Sequence, residues 1–208
     1  GYRNMADLVR KYEVEALADI SMRRRRITLR LLRKRLSVIV QSNSLKDNRK
    51  EQEMAQKKKT IATIVSQKKI AEQTYDLWLE TKLAKNAHPG QFVAVYPRHE
   101  STLLPRPISI CEVSGDKSRL RLVYRVAGKG TAEFASYGKG DTLEILGVLG
   151  NGFPVEKGKG RQVFLIGGGI GIPPMLELAK RLEGQKRILL GYRDKDLFLQ
   201  DDLAQYGD

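Results

Sequence analysis

The sequence predicts a six-stranded antiparallel β barrel, followed by an incomplete Rossmann-like α/β segment and preceded by a basic helical or disordered extension. Three observations carry this. Six short runs between Thr60 and Leu146 are β-branched or alternate in polarity, with turn signals and little helix between them. A single strand, glycine turn, helix and strand follow Gly158. The composition also changes abruptly near residue 53, which gives three parts: 1–53, 54–157 and 158–208.

The barrel strands begin with Thr60–Ser66, a β-branched run bounded by polar residues. In Thr74–Thr81, Tyr75, Leu77 and Leu79 fall on one face and Asp76, Trp78 and Glu80 on the other. Pro89-Gly90 turns the chain into Gln91–Tyr96. Ile108–Val113 and Leu120–Val126 follow, joined across Ser114-Gly115-Asp116, and Thr142–Leu146 is the sixth. Six short strands without a covering layer are expected to close on themselves, because closure removes exposed edges. One short helix is expected from Thr131 to Ser136, with Thr131 as its N-cap.

After Gly158-Lys159-Gly160 the pattern changes. Gln162–Ile166 is a continuous apolar run, as in a buried parallel strand. It leads into Gly167–Pro174, a helical stripe of Met175, Leu176, Leu178, Ala179 and Leu182, and a second apolar strand at Arg187–Tyr192. Glu177 and Arg181 are spaced as an i,i+4 pair, expected to be solvated. Another helix starts near Gln200-Asp201-Asp202. One βαβ unit is fewer strands than a nucleotide-binding domain of this kind needs, so 158–208 reads as incomplete.

The chain has 208 residues, 41% hydrophobic and 30% charged, with a net charge of +14. Residues 1–53 hold 14 Lys and Arg against 7 Asp and Glu, while 54–208 hold 24 against 17, so the first quarter carries half the excess. Within it, Met5–Ile20 has a loose helical stripe, Arg23–Arg26 opens a basic stretch, and Gln41–Glu53 has the character of a linker. Three readings stay open for this segment: a basic arm for nucleic acid or lipid through 21–35, a solvated extension, or translated upstream sequence. The third is motivated by Arg49-Lys50-Glu51, which back-translates to a purine-rich run ahead of Met54. A single cysteine, Cys111, excludes an intramolecular disulfide and a cysteine metal cluster within these residues. His88 and His99 are isolated, and His88 before Pro89-Gly90 reads as a turn residue. No apolar run approaches the roughly 18 residues of a membrane span, and no secretory cleavage pattern follows the N-terminal arginines. The expected location is cytoplasmic.

Three motifs carry chemistry. Gly167-Gly168-Gly169-Ile170-Gly171-Ile172-Pro173-Pro174 lets a dinucleotide phosphate approach the backbone at a helix N-terminus, or is simply a tight strand–helix turn. Arg106-Pro107-Ile108-Ser109 offers a guanidinium for a diphosphate and a hydroxyl on the Pro107 side of the strand, or is an ordinary strand start. Val123-Tyr124-Arg125-Val126-Ala127-Gly128-Lys129-Gly130-Thr131 runs a strand into a second phosphate-binding turn, or a plain helix cap. Two cradles, one on a barrel and one on a βαβ unit, point to two nucleotides held face to face.

Taken with Leu149-Gly150-Asn151-Gly152-Phe153, these motifs resemble the ferredoxin-reductase-type flavoproteins, and within them the electron-transfer subunits of NAD-dependent dihydroorotate dehydrogenase B. The resemblance runs from Met54 to the end. It implies FAD on the barrel, touched by Arg106, Pro107, Ile108, Ser109, Val123, Tyr124 and Arg125, with Gly130 and Thr131 on its phosphates. It implies NAD over Gly167, Gly168, Gly169, Gly171 and Pro173, with the nicotinamide end near Gly150, Asn151 and Gly152. It further implies an FMN-containing catalytic subunit as partner in a hetero-oligomer of pyrimidine biosynthesis. In that family the cofactors carry the redox chemistry, so no side chain here is expected to act as a general base or nucleophile.

The family's [2Fe–2S] cluster is held by a C-terminal group of cysteines, which these residues lack; Cys111 reads as a core or flavin-proximal thiol. NAD against NADP stays open, since Asp194 suits a ribose hydroxyl while Arg193 and Lys195 suit a 2′-phosphate. The alternatives are an NAD(P)-binding subunit of a ferredoxin:NADP oxidoreductase or of a sulfide dehydrogenase and, from another class, a basic nucleic-acid-binding protein.

Overall fold

A computed structural model describes residues 59–99 and 104–208, which lie in one compact unit, Lys57–Asp208. The readings made for 1–53 fall outside the described residues. Six antiparallel strands close a barrel in the order β1-β2-β5-β4-β3-β6. They are β1 (Thr60–Ala71), β2 (Thr74–Glu80), β3 (Phe92–Tyr96), β4 (Arg106–Val113), β5 (Arg119–Arg125) and β6 (Thr142–Leu149).

Alternation fills the interior. Ala62, Ile64, Leu77, Leu79, Val93, Val95, Ile110, Leu120, Leu122, Leu143 and Ile145 form its core, joined by Tyr124 and Phe134. Tyr124 stacks on Tyr75 with centroids 5.7 Å apart and meets Phe134 edge-on at 6.1 Å. Its hydroxyl donates to Gln67 Oε1 at 3.0 Å, and burial pushes its pKa up.

β1 is longer than expected. Register shifts at Ile64/Ser66 and Lys69/Ala71 let the polar stretch Gln67-Lys68-Lys69 continue pairing with β2. The β4–β5 hairpin turn is held by Asp116, whose carboxylate accepts the Ser114 and Ser118 hydroxyls, each at 2.6 Å. Those bonds, with the Ser118 N–H, hold its pKa down at about 2.

The helix between β5 and β6, α1, spans Lys129–Ala135, two residues earlier than expected. Gly128 is its N-cap and Thr131 is not. Thr131 Oγ1 reaches back instead, accepting the N–H of Ala127 (2.9 Å) and Gly128 (3.2 Å) and donating to Gly128 O (3.0 Å). At the other end, Gln67 Nε2 donates to the carbonyls of Phe134 (2.9 Å) and Tyr137 (2.7 Å).

Beyond the barrel, β7 (Val163–Gly168) and β8 (Lys186–Gly191) pair in parallel and α2 (Pro173–Arg181) connects them. A short α3, Gln200–Ala204, follows. Asp208 sits against β8 in a parallel pattern: Ile188 N–H donates to Asp208 O at 2.7 Å and Asp208 N–H to Lys186 O at 3.2 Å. The expectation of a fully buried β7 is corrected. Leu165 is buried with Ile188 and Leu190 packed beside it, but Phe164, Ile166 and Leu189 on the opposite face are exposed. Helices cover one face of this two-stranded sheet, and among the described residues nothing covers the other. No described helix is long and apolar enough to cross a membrane.

Candidate cofactor site

The arrangement turns on how β4 and β5 pair. Their ladder covers only Ile110 opposite Leu122, Glu112 opposite Arg121 and Val113 opposite Leu120. Upstream, Arg106–Ser109 pair with β3 alone, and Thr74–Asp76 of β2 pair with Val123–Arg125 on the far side. The barrel wall is therefore split between the first half of β4 and the last half of β5. Along both lips, backbone N–H and C=O groups have no ladder partner, and such groups need one from solvent or a ligand.

On the outer side of this opening, Pro107 and Ser109 are exposed. Cys111, which follows them, is fully buried because α2 and its neighbours cover that end of the strand. Burial pushes the Cys111 thiol up, which keeps it protonated. Arg106 and Ile108 are half-buried. Val123 and Tyr124 are buried at 3% and 2% exposure, the first under the α/β segment and the second inside the barrel, so they can meet a ligand only through their backbone. Arg125 is half-buried at the end of β5.

Gly130 lies directly behind Arg106. A Cβ there would stand 2.9 Å from Arg106 Nε and 3.1 Å from both Arg106 Nη2 and Pro97 Cγ. Only glycine leaves the guanidinium this close to the first turn of α1. Arg106 Nη1 donates to Leu104 O at 2.8 Å, leaving further guanidinium donors for an anion. Thr131, in contrast, spends its hydroxyl on the backbone bonds already described. The chain before β4 is latched to α1 through Glu133, whose carboxylate accepts the N–H of Arg98 (2.6 Å) and His99 (3.3 Å) and the Tyr137 hydroxyl. Slight burial opposes its ionisation, but the bonds from Tyr137, Arg98 and His99 prevail and lower its pKa.

The turn after β6 flanks the other side. Gly150 and Gly152 adopt φ of +87° and +73°. Gln91 Nε2 donates to Gly150 O at 2.8 Å, and Phe92, paired with Ser109, lies against Gly150. Asn151 is exposed between them. Gly150–Gly152 are thereby brought beside the β4 strip.

At the end of β7, Gly167 packs against Ile172 and Met175, where a Cβ would meet Ile172 Cα at 3.1 Å. Gly168 lies beside Gly191 of β8. Gly169 has φ +51°, and both it and Gly171 face open space. Pro173 and Pro174 open α2. The helix start itself offers a phosphate few free N–H groups: the two prolines have none, and Met175 N–H donates to Ile172 O at 2.9 Å. Any phosphate is left to the glycine turn that precedes the helix.

The sequence reading missed the groups that join the two halves. Glu177 is not solvated but fully buried. Its Oε1 accepts Arg181 Nε at 2.7 Å, and its Oε2 accepts the N–H of Val113 on β4 at 2.9 Å. Arg121 makes a bidentate pair with Asp76 at 2.9 Å for both bonds, and its Nη1 reaches Asp202 of α3 (2.8 Å) and Glu112 (3.2 Å). Lys180 of α2 donates to Glu112 Oε1 (3.0 Å) and Val113 O (3.1 Å). The available signal was that Asp76 and Arg121 are opposite charges on the faces of β2 and β5 that alternate with the core leucines, but pairing them requires knowing that β2 neighbours β5. Among the described residues no group of three His, Cys, Asp or Glu side chains is placed to hold a metal ion.

No protein-family model matches the chain. It is 43% identical over 162 residues to the electron transfer subunit of dihydroorotate dehydrogenase B (NAD(+)) of Bacillus mycoides (strain KBAB4), covering 74% of this chain and 62% of that protein. The same-named subunit of Bacillus caldolyticus is 42% identical over 153 residues, covering 70% and 60%. The chain thus spans about three fifths of the length of these relatives. Among solved structures, the NADH-dependent reduced ferredoxin-NADP oxidoreductase superposes with a TM-score of 0.60 at 33% identity, covering 66% of this chain and 50% of that one.

Proposed function

We propose that this chain is the flavin- and pyridine-nucleotide-binding part of a dihydroorotate dehydrogenase B electron-transfer subunit, an oxidoreductase component that relays electrons between NAD(H) and a separate catalytic subunit. The observation that carries the reading is the split between β4 and β5, with Arg106 and Gly130 at one end and Gly150 beside it. FAD suits this opening. Its planar ring can lie along the exposed strip of Pro107 and Ser109, and those backbone groups of Arg106–Ser109 and Val123–Arg125 that face the opening offer hydrogen-bonding partners to a polar ring edge. The diphosphate falls to the Arg106 guanidinium and the first turn of α1, where the absent Cβ of Gly130 leaves room. NAD(H) suits the turn at Gly167–Gly171, with Gly150–Gly152 near its nicotinamide end.

A flavin held by Arg106, Gly130 and the β4 strip would supply the redox chemistry that links a two-electron nicotinamide donor to a one-electron acceptor. The protein's part is positional. β4, β5 and α1 fix the ring and phosphates, the glycine turn admits the second nucleotide, and the buried neighbours Cys111, Val123 and Ile172 exclude water behind them. No side chain in the opening needs to exchange a proton. A [2Fe–2S] cluster does not fit these residues, because they offer one cysteine, Cys111, which is buried, where such a cluster takes four ligands, and no step here runs through one. The names of the relatives support a catalytic subunit as partner. The similarity to the ferredoxin-NADP oxidoreductase supports a second reading, in which electrons leave to ferredoxin.

The test is to purify the full chain, denature it and identify the released flavin by chromatography. Stoichiometric FAD that is lost in Arg106→Ala supports the site, whereas FMN, or a folded protein without flavin, refutes it. Electron transfer from dihydroorotate through an added catalytic subunit, against reduction of ferredoxin, separates the two readings.

A further inference from the structure

Three crossings tie α2 and α3 to one short stretch of the barrel, and they cluster at the end of β4 remote from the opening. Glu177 of α2 reaches from its side to the Val113 N–H, and Lys180, one turn further on the same helix, reaches Glu112 and Val113 O. Arg121 reaches the other way, from β5 to Asp202 on α3, while its bidentate pair with Asp76 fixes the direction of its guanidinium. Burying charges is a poor way to gain stability, since desolvation offsets most of the attraction. The apolar patch of Cys111, Val123, Leu165, Ile172 and Leu176 already holds the two parts together. Apolar contact is not directional, and it allows one surface to slide on the other. Directional bonds from a strand backbone to one face of α2 do not. Because α2 begins at the Gly167–Gly171 turn, fixing its later residues on Glu112 and Val113 fixes where that turn sits over the Pro107–Ser109 strip.

We infer that Glu177, Lys180 and Arg121 are positioning residues that set the register of the glycine turn against the barrel opening, and hence the spacing of the two cofactors. The inference rests on the functional reading above and specifies what holds that site in register. Hydride transfer requires reacting atoms about 3–3.5 Å apart, and a 1 Å misplacement can cost about a hundredfold in rate. A set of rigid tethers is what such a tolerance requires.

The test combines Lys180→Met with Asp202→Ala, which removes both tethering groups at side chains that are 27% and 39% exposed. Lys59→Met, which removes an exposed pair to Glu144 elsewhere on the barrel, is the control. Spin labels on Lys82→Cys and Glu183→Cys report the distance between the barrel and the chain just past α2, and Cys111 is too buried to take label. The expected result is a narrow distance distribution in the unmodified and control chains and a broadened one in the double variant. Flavin content should be unchanged, NADH affinity should shift by less than about threefold, and flavin reduction should slow by about tenfold or more. An unchanged distribution overturns the inference, as does a broadened one with an unchanged reduction rate. If the unmodified chain is not reduced by NADH, the functional reading fails, while the distance comparison still decides whether these residues are tethers.

Discussion

Replacing Arg121 with methionine removes the cation at the meeting point of β2, β4, β5 and α3. The magnitude follows from exposure. The Asp76 side chain is 1% exposed and that of Arg121 9%, so the variant leaves a carboxylate charge with neither water nor counter-ion. Breaking a buried pair from one side costs about 3–5 kcal/mol. The bonds to Glu112 and Asp202, whose side chains are 19% and 39% exposed, add less because solvent screens them. The expected loss is therefore about 3–5 kcal/mol, or roughly 6–20 °C in Tm at about 2–4 °C per kcal/mol. Asp76→Leu combined with Arg121→Met removes both charges and should recover to within about 2 kcal/mol of the parent. Urea unfolding read by Trp78 measures this. Trp78 is the single tryptophan and lies 5.8 Å from the Arg121 guanidinium. A loss under about 1 kcal/mol in Arg121→Met, or a double variant no more stable than it, would refute the assignment of the pair as a buried, mutually dependent unit.

Gly130→Val should push Arg106 from its place and strip flavin from the purified protein, measured as the flavin-to-protein absorbance ratio, with an unfolding free energy in urea lowered by about 1–2 kcal/mol because the Arg106 side chain is flexible but the neighbouring Pro97 ring is not. Glu177→Ala leaves the Val113 N–H without its acceptor and should cost about 1–3 kcal/mol, whereas Glu177→Gln keeps an oxygen there and should cost less; hydrogen exchange at the Val113 amide reports the difference. Asp116 is held at about 2 by Ser114 and Ser118. Its folded-state pKa is depressed, so its contribution is present above the ordinary carboxylate range and is lost as pH falls through about 2. Acid unfolding followed by circular dichroism should thus begin at higher pH in the Ser114→Ala, Ser118→Ala double variant, and the two curves should converge at the acid end.

The six strands were legible because each is a short β-branched or alternating run bounded by turn residues, with Leu77, Leu79, Leu120 and Leu143 among the side chains placed inside. Their order was not, since β2 and β5 are neighbours in space and far apart in sequence. Gln67-Lys68-Lys69 reads as the polar end of a strand, and only the register shifts of β1 show why it continues pairing. The candidate motifs Arg106–Ser109, Gly130 and Gly167–Gly171 stand out in the sequence, because close backbone approach restricts residue choice. The opening between β4 and β5 was not visible, because it is a property of register and no residue type announces it. Thr131 carries the right chemistry for a cap but uses it on the preceding turn, and Glu177 showed only its local partner Arg181, the other being 64 residues away.

Seven residues are too few for a helix to persist alone in water, yet α1 is secured along its whole length. Phe134 anchors it in the barrel core, Thr131 ties down its beginning, and the Gln67 amide ties down its last carbonyls. The conformational entropy of shaping the surface around Gly130 is therefore lost when the chain folds, not when a ligand arrives. Capture of the proposed cofactor at such a prepared surface should therefore be a single bimolecular encounter, its observed rate rising in proportion to cofactor concentration without the plateau that a slow rearrangement of the surface would impose.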